Sequence, residues 1–206
     1  MRHENFHVVG IGGTLRENST SLGALKRVLQ AAEEDGAHTE LLDLRELNLP
    51  MYVPGKSLQE YDENVGRFLE SVRESDALVI GTAAYHGTLA GVTKNALDFI
   101  QFLSRDESPY LDGKVVGLVA TAGGDQAATN ATGALVNVVH ALRGLVAPLM
   151  VPIPKSWQIS DEEGNITDEN YGGRLDRLGG LLVNLSSRLS GEEGLEKKET
   201  LLAGRN

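Results

Sequence analysis

At 206 residues the chain has the length of one α/β domain, and 19 Lys plus Arg against 29 Asp plus Glu leave a net charge of −10. No basic block collects along it, which argues against nucleic acid and anionic membrane as partners, and the absence of cysteine removes disulfides, thiol catalysis and thiolate metal sites. The start, MRHENFHVVG, lacks the long apolar stretch of a signal peptide, and no run nears the ~18 apolar residues of a membrane span, so a cytoplasmic protein free in solution is expected.

The first apolar run, residues 6–11, is nearly continuous rather than alternating, as in a strand buried on both faces. It leads into the small, polar stretch GIGGTLRENSTS, residues 10–21, and then into helical spacing over 21–34. A weaker strand follows Gly36 at 39–44. The Gly-Lys-Ser at 55–57 follows no convincing strand and reads as turn chemistry; helical spacing covers 58–75. A second continuous run, 77–82, precedes TAAYHGTLAGVTKNALDF and a helix over 91–103. A third, 115–121, precedes TAGGDQAAT and a helix over 127–142. The last strand, 146–153, ends in two prolines, and the last helix is placed at 175–189. Between them DEEGNITDENY, residues 161–171, reads as a small hairpin or excursion. Its spacing fails the alternating ligand pattern of a calcium loop. Residues 1–190 are expected to form a single domain and 191–206 a charged, Gly-punctuated tail.

Five strand-helix repeats imply a parallel sheet with right-handed crossovers and helices on both faces, in the strand order 2-1-3-4-5. Ligands of such sheets sit outside the carboxyl ends of the strands where the order reverses, after strands one, three and four.

The first loop has Gly10 and Gly12 of a dinucleotide fingerprint but Leu15 where the third glycine belongs, and no closing Lys-Ser/Thr of a nucleoside triphosphate loop. What remains is a set of hydroxyls at Thr14, Ser19, Thr20 and Ser21, the Asn18 amide and the Arg16 guanidinium at a helix start. That donor set suits one terminal phosphate, whose oxygens accept several hydrogen bonds at once. An ordinary N-cap at Ser19 or Thr20 is the plainer alternative. After the third strand, Tyr85 offers a ring to a flat ligand and Gly87 allows close backbone approach. After the fourth, Gly123 and Gly124 offer main-chain N–H groups.

These stretches resemble the NAD(P)H-dependent FMN reductase family of the flavodoxin-like superfamily. Gly13-Thr14-Leu15-Arg16 with Ser19 and Ser21 is similar to the family's phosphate motif, and Tyr85 through Asp98, above all Lys94-Asn95-Ala96-Leu97-Asp98, to its second motif. Ala83 and Ala84 stand where the family has Pro and Glu, and His86 where it has Asn. The resemblance implies a flavodoxin-like three-layer sandwich. It implies that Thr14, Arg16, Ser19, Thr20 and Ser21 hold the FMN phosphate, that Ala84, Tyr85, His86 and Gly87 contact the ring and ribityl chain, and that Ala122, Gly123, Gly124 and Asp125 approach the pyrimidine edge. It further implies a homodimer or homotetramer in which the helix of Lys94, Asn95 and Asp98 packs at an interface. A surface ion pair at i and i+4 is the bland reading of Lys94 and Asp98.

Hydride transfer from NADPH or NADH to FMN, and on to a small acceptor such as free flavin, a quinone, an azo compound or a metal oxyanion, needs binding and alignment rather than a catalytic triad or a metal. His86 is the one histidine in the expected site; a rim side chain is its plainer role. Trp157 is expected in the core or an interface, or else covering a neighbouring subunit's flavin. A flavodoxin-type electron carrier docking protein partners is the competing function. It would favour a phosphate loop without arginine and two aromatics around the ring, whereas the sequence offers Arg16 and only Tyr85.

Overall fold

The computed structural model describes residues 6–191. The expected tail, residues 191–206, lies outside them except for Gly191.

Five parallel strands form the sheet: β1 (His7–Gly12), β2 (His38–Asp43), β3 (Ala77–Tyr85), β5 (Val115–Thr121) and β6 (Leu145–Ile153), in the order β2-β1-β3-β5-β6. This is the expected 2-1-3-4-5 once β4 (Thr88–Leu89) is set apart. That two-residue strand, unforeseen in the sequence, pairs antiparallel with the end of β3, Ala84 opposite Leu89 and Tyr85 opposite Thr88. β3 therefore runs through Tyr85 rather than stopping at Thr82. The reversal is made by His86 and Gly87, both at positive φ (50° and 85°), the signature of a two-residue hairpin turn whose twist matches its strands.

Successive residues of the strands face opposite layers, which is why their apolar runs are continuous. Val8, Val79 and Val119 pack under α1 (Thr20–Glu34) and α6 (Glu169–Leu189). Val9, Ile11, Leu78, Ile80 and Leu118 pack under α3 (Glu63–Glu74), α4 (Gly91–Phe99) and α5 (Ala127–Ala141), with Phe68 and Phe99 fully buried. A one-turn helix, α2 (Leu44–Leu47), is capped by the Asp43 carboxylate, which accepts from the Arg45 amide at 2.9 Å.

α6 begins at Glu169, six residues before the expected start. The Gly172-Gly173 pair conceals its first turn in the sequence, yet Asp168 caps that turn by accepting from the Tyr171 amide at 2.9 Å. α3 starts late, at Glu63, because a single 3₁₀ turn, Leu58–Glu60, precedes it with its own capping box between Ser57 and Glu60. The expected excursion is present as far as Asp168, its last three residues belonging to α6: Ser160 and Ile166 form an antiparallel bridge.

Candidate functional site

The carboxyl ends of β1, β3, β5 and β6 open into one cavity of about 480 Å³. Such a volume lies within the range of small-ligand sites, at the switch point where sheets of this order bind them.

The β1 loop forms one end. Thr14 is nearly buried and its hydroxyl accepts from the Arg16 amide at 3.1 Å, which folds the loop back on itself. Asn18 sits at positive φ (52°), a conformation that asparagine tolerates better than most residues. Ser19 is the N-cap of α1, but its side chain makes no capping bond and instead meets the Ser21 hydroxyl at 2.7 Å. The first turn of α1 thus keeps donors for a ligand. Ser19 occupies the N-cap position but without a side-chain capping bond, its carbonyl accepting from the Leu22 and Gly23 amides. Arg16 is exposed and forms no ion pair among the described residues, while Glu17 beside it is held by Arg45.

The β3 and β5 loops form the other end. Ala83, Ala84 and Tyr85 line one wall, Tyr85 with 54% of its surface exposed. This wall is anchored from below by Thr82, fully buried, which accepts from the Ala90 amide and meets the Thr93 hydroxyl, each at 3.0 Å. The end of β3 and the start of α4 are thereby one unit. Thr121, Ala122 and Gly123 line the facing wall.

The segment after β6 completes the cavity, and the sequence did not announce it. Ser156, Trp157, Ser160, Asp161 and Glu162 all line it. Ser160 Oγ lies 3.1 Å from Thr20 Oγ1 and donates to the Ser156 carbonyl at 3.0 Å. The tip of the excursion presses on the start of α1: a Cβ on Gly23 would fall 2.0 Å from the Gly164 carbonyl oxygen, so only glycine lets the two backbones meet. Within the excursion, the side chain and amide of Asn165 and the amide of Glu163 donate to Asp161, at 3.0, 2.8 and 3.0 Å. These bonds hold the Asp161 carboxyl below its ordinary pKa, the Asn165 side chain contributing most.

Of the expected residues, Thr14, Arg16, Ser19, Thr20, Ala84, Tyr85, Ala122 and Gly123 line the cavity. Ser21 lies buried beneath it, supporting Ser19. His86 and Gly87 form the exposed β3–β4 turn beyond its edge. Gly124 and Asp125 are exposed before α5, which starts only at Ala127; Asp125 pairs with Lys155 at 2.9 Å and so ties the β5 loop to the segment after β6. Trp157 lies outside the core. It is 68% exposed and lines this chain's own cavity, so Tyr85 is not the only aromatic available. Asn95 is buried and turned inward, accepting from the Tyr52 amide at 2.9 Å and donating to the Pro50 carbonyl at 2.8 Å, whereas Lys94 and Asp98 form an exposed ion pair.

A five-stranded parallel sheet in this order, with its cavity at the switch point and a hydroxyl-rich loop opening α1, defines a flavodoxin-like protein. The chain belongs to the NADPH-dependent FMN reductase family, whose model matches residues 6–158. It is 31% identical over 121 residues to an NAD(P)H-dependent FMN reductase of Pseudomonas aeruginosa, covering 59% of this chain and 62% of that one. It is 35% identical over 110 residues to an FMN-dependent NADPH-azoreductase of Staphylococcus haemolyticus, covering 53% of this chain and 55% of that one. These matches thus span less than two thirds of either relative. Among solved structures it is similar to FerB, a flavoenzyme NAD(P)H:(acceptor) oxidoreductase from Paracoccus denitrificans, with a TM-score of 0.69 at 23% identity over 89% of this chain and 98% of that one; at such identity the likeness concerns the fold.

Proposed function

We propose that the chain is an NAD(P)H-dependent FMN oxidoreductase that passes electrons to a small acceptor. The observation that carries this reading is the donor set of the β1 loop. Thr14, Ser19 and Thr20, the start of α1 without a side-chain capping bond, and Arg16, which pairs with no carboxylate among the described residues, converge on one end of a cavity whose other end is walled by small residues and an aromatic. The donors fit a phosphomonoester, since a dianion with three free oxygens is matched by hydroxyls, main-chain N–H groups and one guanidinium.

FMN, when bound, supplies the hydride chemistry between nicotinamide and acceptor. The chain's own residues do the rest. Thr14, Arg16, Ser19 and Thr20 hold the phosphate, with Ser21 fixing Ser19 from below. Ala84 and Tyr85 bound the ring, the His86–Gly87 turn setting the position of Tyr85. Ala122, Gly123 and Gly124 would lie toward the pyrimidine edge, where their main-chain N–H groups would stabilise negative charge, and Asp125 ties that loop to Lys155. The small side chains of Ala83 and Ala84 leave room for a second flat molecule to lie against the first.

The relatives' names support NADPH or NADH as donor and small molecules as acceptors. Two exposed aromatics at the cavity fit a flavodoxin-type carrier as well as a reductase. Arg16 and membership of the reductase family favour the enzyme. The same reading places the protein in the cytoplasm, where reduced nicotinamide is available; no helix among the described residues is long and apolar enough to cross a membrane. It also extends to a homodimer or homotetramer built on the α4 face, for which sedimentation as a monomer would be contrary evidence. The test of function is anaerobic titration of the FMN-loaded chain with NADPH and with NADH. Rapid bleaching of the flavin band by either supports the reductase, and flavin that binds tightly but responds to neither is the carrier's result.

A further inference from the structure

Trp157 is the chain's only tryptophan, and the fold leaves 68% of it exposed on the wall of the cavity instead of using it in either core layer. It is nevertheless firmly mounted. It sits on a single 3₁₀ turn, Ser156–Gln158, whose preceding residue Lys155 takes a left-handed backbone (φ 46°) and pairs with Asp125 at 2.9 Å. The Ser156 amide donates to the Ala122 carbonyl at 3.0 Å, and Ser160 ties the next turn to Thr20. A non-glycine residue in left-handed backbone costs free energy, and such conformations cluster where geometry serves a ligand. The residues at the depth of the cavity, Thr14, Ser19, Thr121 and Ala122, are all at most 9% exposed and enclose whatever binds first. Trp157 stands at the rim, where the next molecule arrives.

The rim is also charged. Asp161 and Glu162 line the cavity against a single cation, Arg16, at the phosphate end. Asp161 is occupied by the turn it closes; Glu162 is exposed with no hydrogen bond or ion pair among the described residues.

Resting on the FMN reading above, we propose that Trp157 is the stacking platform for the ring of the electron acceptor, and that Glu162, lining the same cavity, makes the site prefer neutral over anionic rings. Stacking contributes through area and ring quadrupole, and an acidic side chain lining the same cavity opposes a sulfonate or carboxylate on the ring. With a quinone as acceptor the step balances: the hydride from the nicotinamide and one proton from water convert it to the hydroquinone.

The test uses the full chain loaded with FMN, NADPH as donor, and two acceptors, para-naphthoquinone and its ring sulfonate. The readout is the ratio of their kcat/KM values, so that the donor's own charge and the acceptors' different potentials cancel between variants. Trp157→Ala is expected to raise KM for the neutral quinone by about 2- to 10-fold, with Trp157→Phe restoring most of it. Glu162→Gln is expected to narrow the neutral-to-anionic ratio by about 2- to 5-fold, an effect that fades as salt is raised. A second readout needs no turnover: with one tryptophan, fluorescence quenching by caesium and by iodide senses the charge around Trp157 directly. Relative to their quenching of free N-acetyltryptophanamide, caesium should be favoured over iodide in the flavin-free chain, and Glu162→Gln should reduce that preference. An unchanged KM in Trp157→Ala overturns the platform. A caesium-to-iodide ratio equal to that of free N-acetyltryptophanamide, or a ratio unmoved by Glu162→Gln, overturns the charge preference. Flavin that is never reduced by NADPH overturns the reductase reading instead, and the quenching experiment separates the two failures.

Discussion

Arg16 is the only cation among the described residues that line the cavity, and among those residues it has no carboxylate partner to give up when a phosphate arrives. Arg16→Ala is therefore expected to weaken FMN binding by about 1–3 kcal/mol, read by fluorescence titration, whereas an unchanged dissociation constant returns Arg16 to the solvated surface. Asp161 carries the pH dependence of the excursion. Its carboxyl is held below its ordinary value by Asn165 and Glu163, so the stabilisation it gives is fully present above the ordinary carboxylate pKa and is lost as pH falls through the lowered one. Hydrogen-exchange protection at residues 160–166, measured against the intrinsic rate at each pH, should fall over that acid window in the unaltered chain and already be low at neutral pH in Asp161→Ala; protection indifferent to both changes would contradict the assignment. The β1-loop donors were legible in the sequence because hydroxyls, an amide and an arginine crowd between an apolar run and a helix, a composition that core packing does not explain. His86 and Gly87 were legible only as a loop. That they are the two central residues of a hairpin became visible only with β4, whose two residues are too few to carry an alternating pattern.

At the scale of elements, the excursion after β6 matters most to the cavity and was least readable. Its contribution depends on Gly164 meeting Gly23 and on Ser160 meeting Thr20, contacts between segments about 140 residues apart that no local periodicity encodes. Arg27 reinforces the same junction: its guanidinium makes a two-pronged pair with Asp176 of α6, at 2.7 and 2.8 Å, and reaches the Ile166 carbonyl. Gly23→Ala should force the excursion away from α1, lowering stability by about 1–3 kcal/mol and weakening FMN binding with it. Gly66→Ala is the contrasting case. Gly66 lies within α3 with nothing near the place a Cβ would take, so the substitution should raise stability by about 0.5–1 kcal/mol through helix propensity alone. Thermal melts that shift the two variants in the same direction would contradict the packing described for the excursion. The start of α6 was missed for a related reason. Gly172 weakens the helical signal, but a side chain there would occupy the space of the Arg27 guanidinium, so tertiary packing overrides propensity.

For the whole molecule, the order of the five parallel strands followed from their alternation with helices, and that order alone placed a site after β1, β3 and β5. Continuous apolar runs marked β1, β3 and β5, the three central strands, while β2 and β6 at the edges are only partly buried and gave weaker signals. The switch point where the β1 and β3 loops part accounts for the cavity's position, and the β1 loop for its chemistry. The central claim is that this loop grips a single terminal phosphate. Calorimetric titration of the same preparation with FMN and with riboflavin, which share the ring and ribityl chain, isolates that group. Two or more charge-assisted bonds to the phosphate, each about 1.5 kcal/mol or more, predict FMN binding at least ~100-fold tighter than riboflavin. Equal affinity for the two flavins would contradict the account.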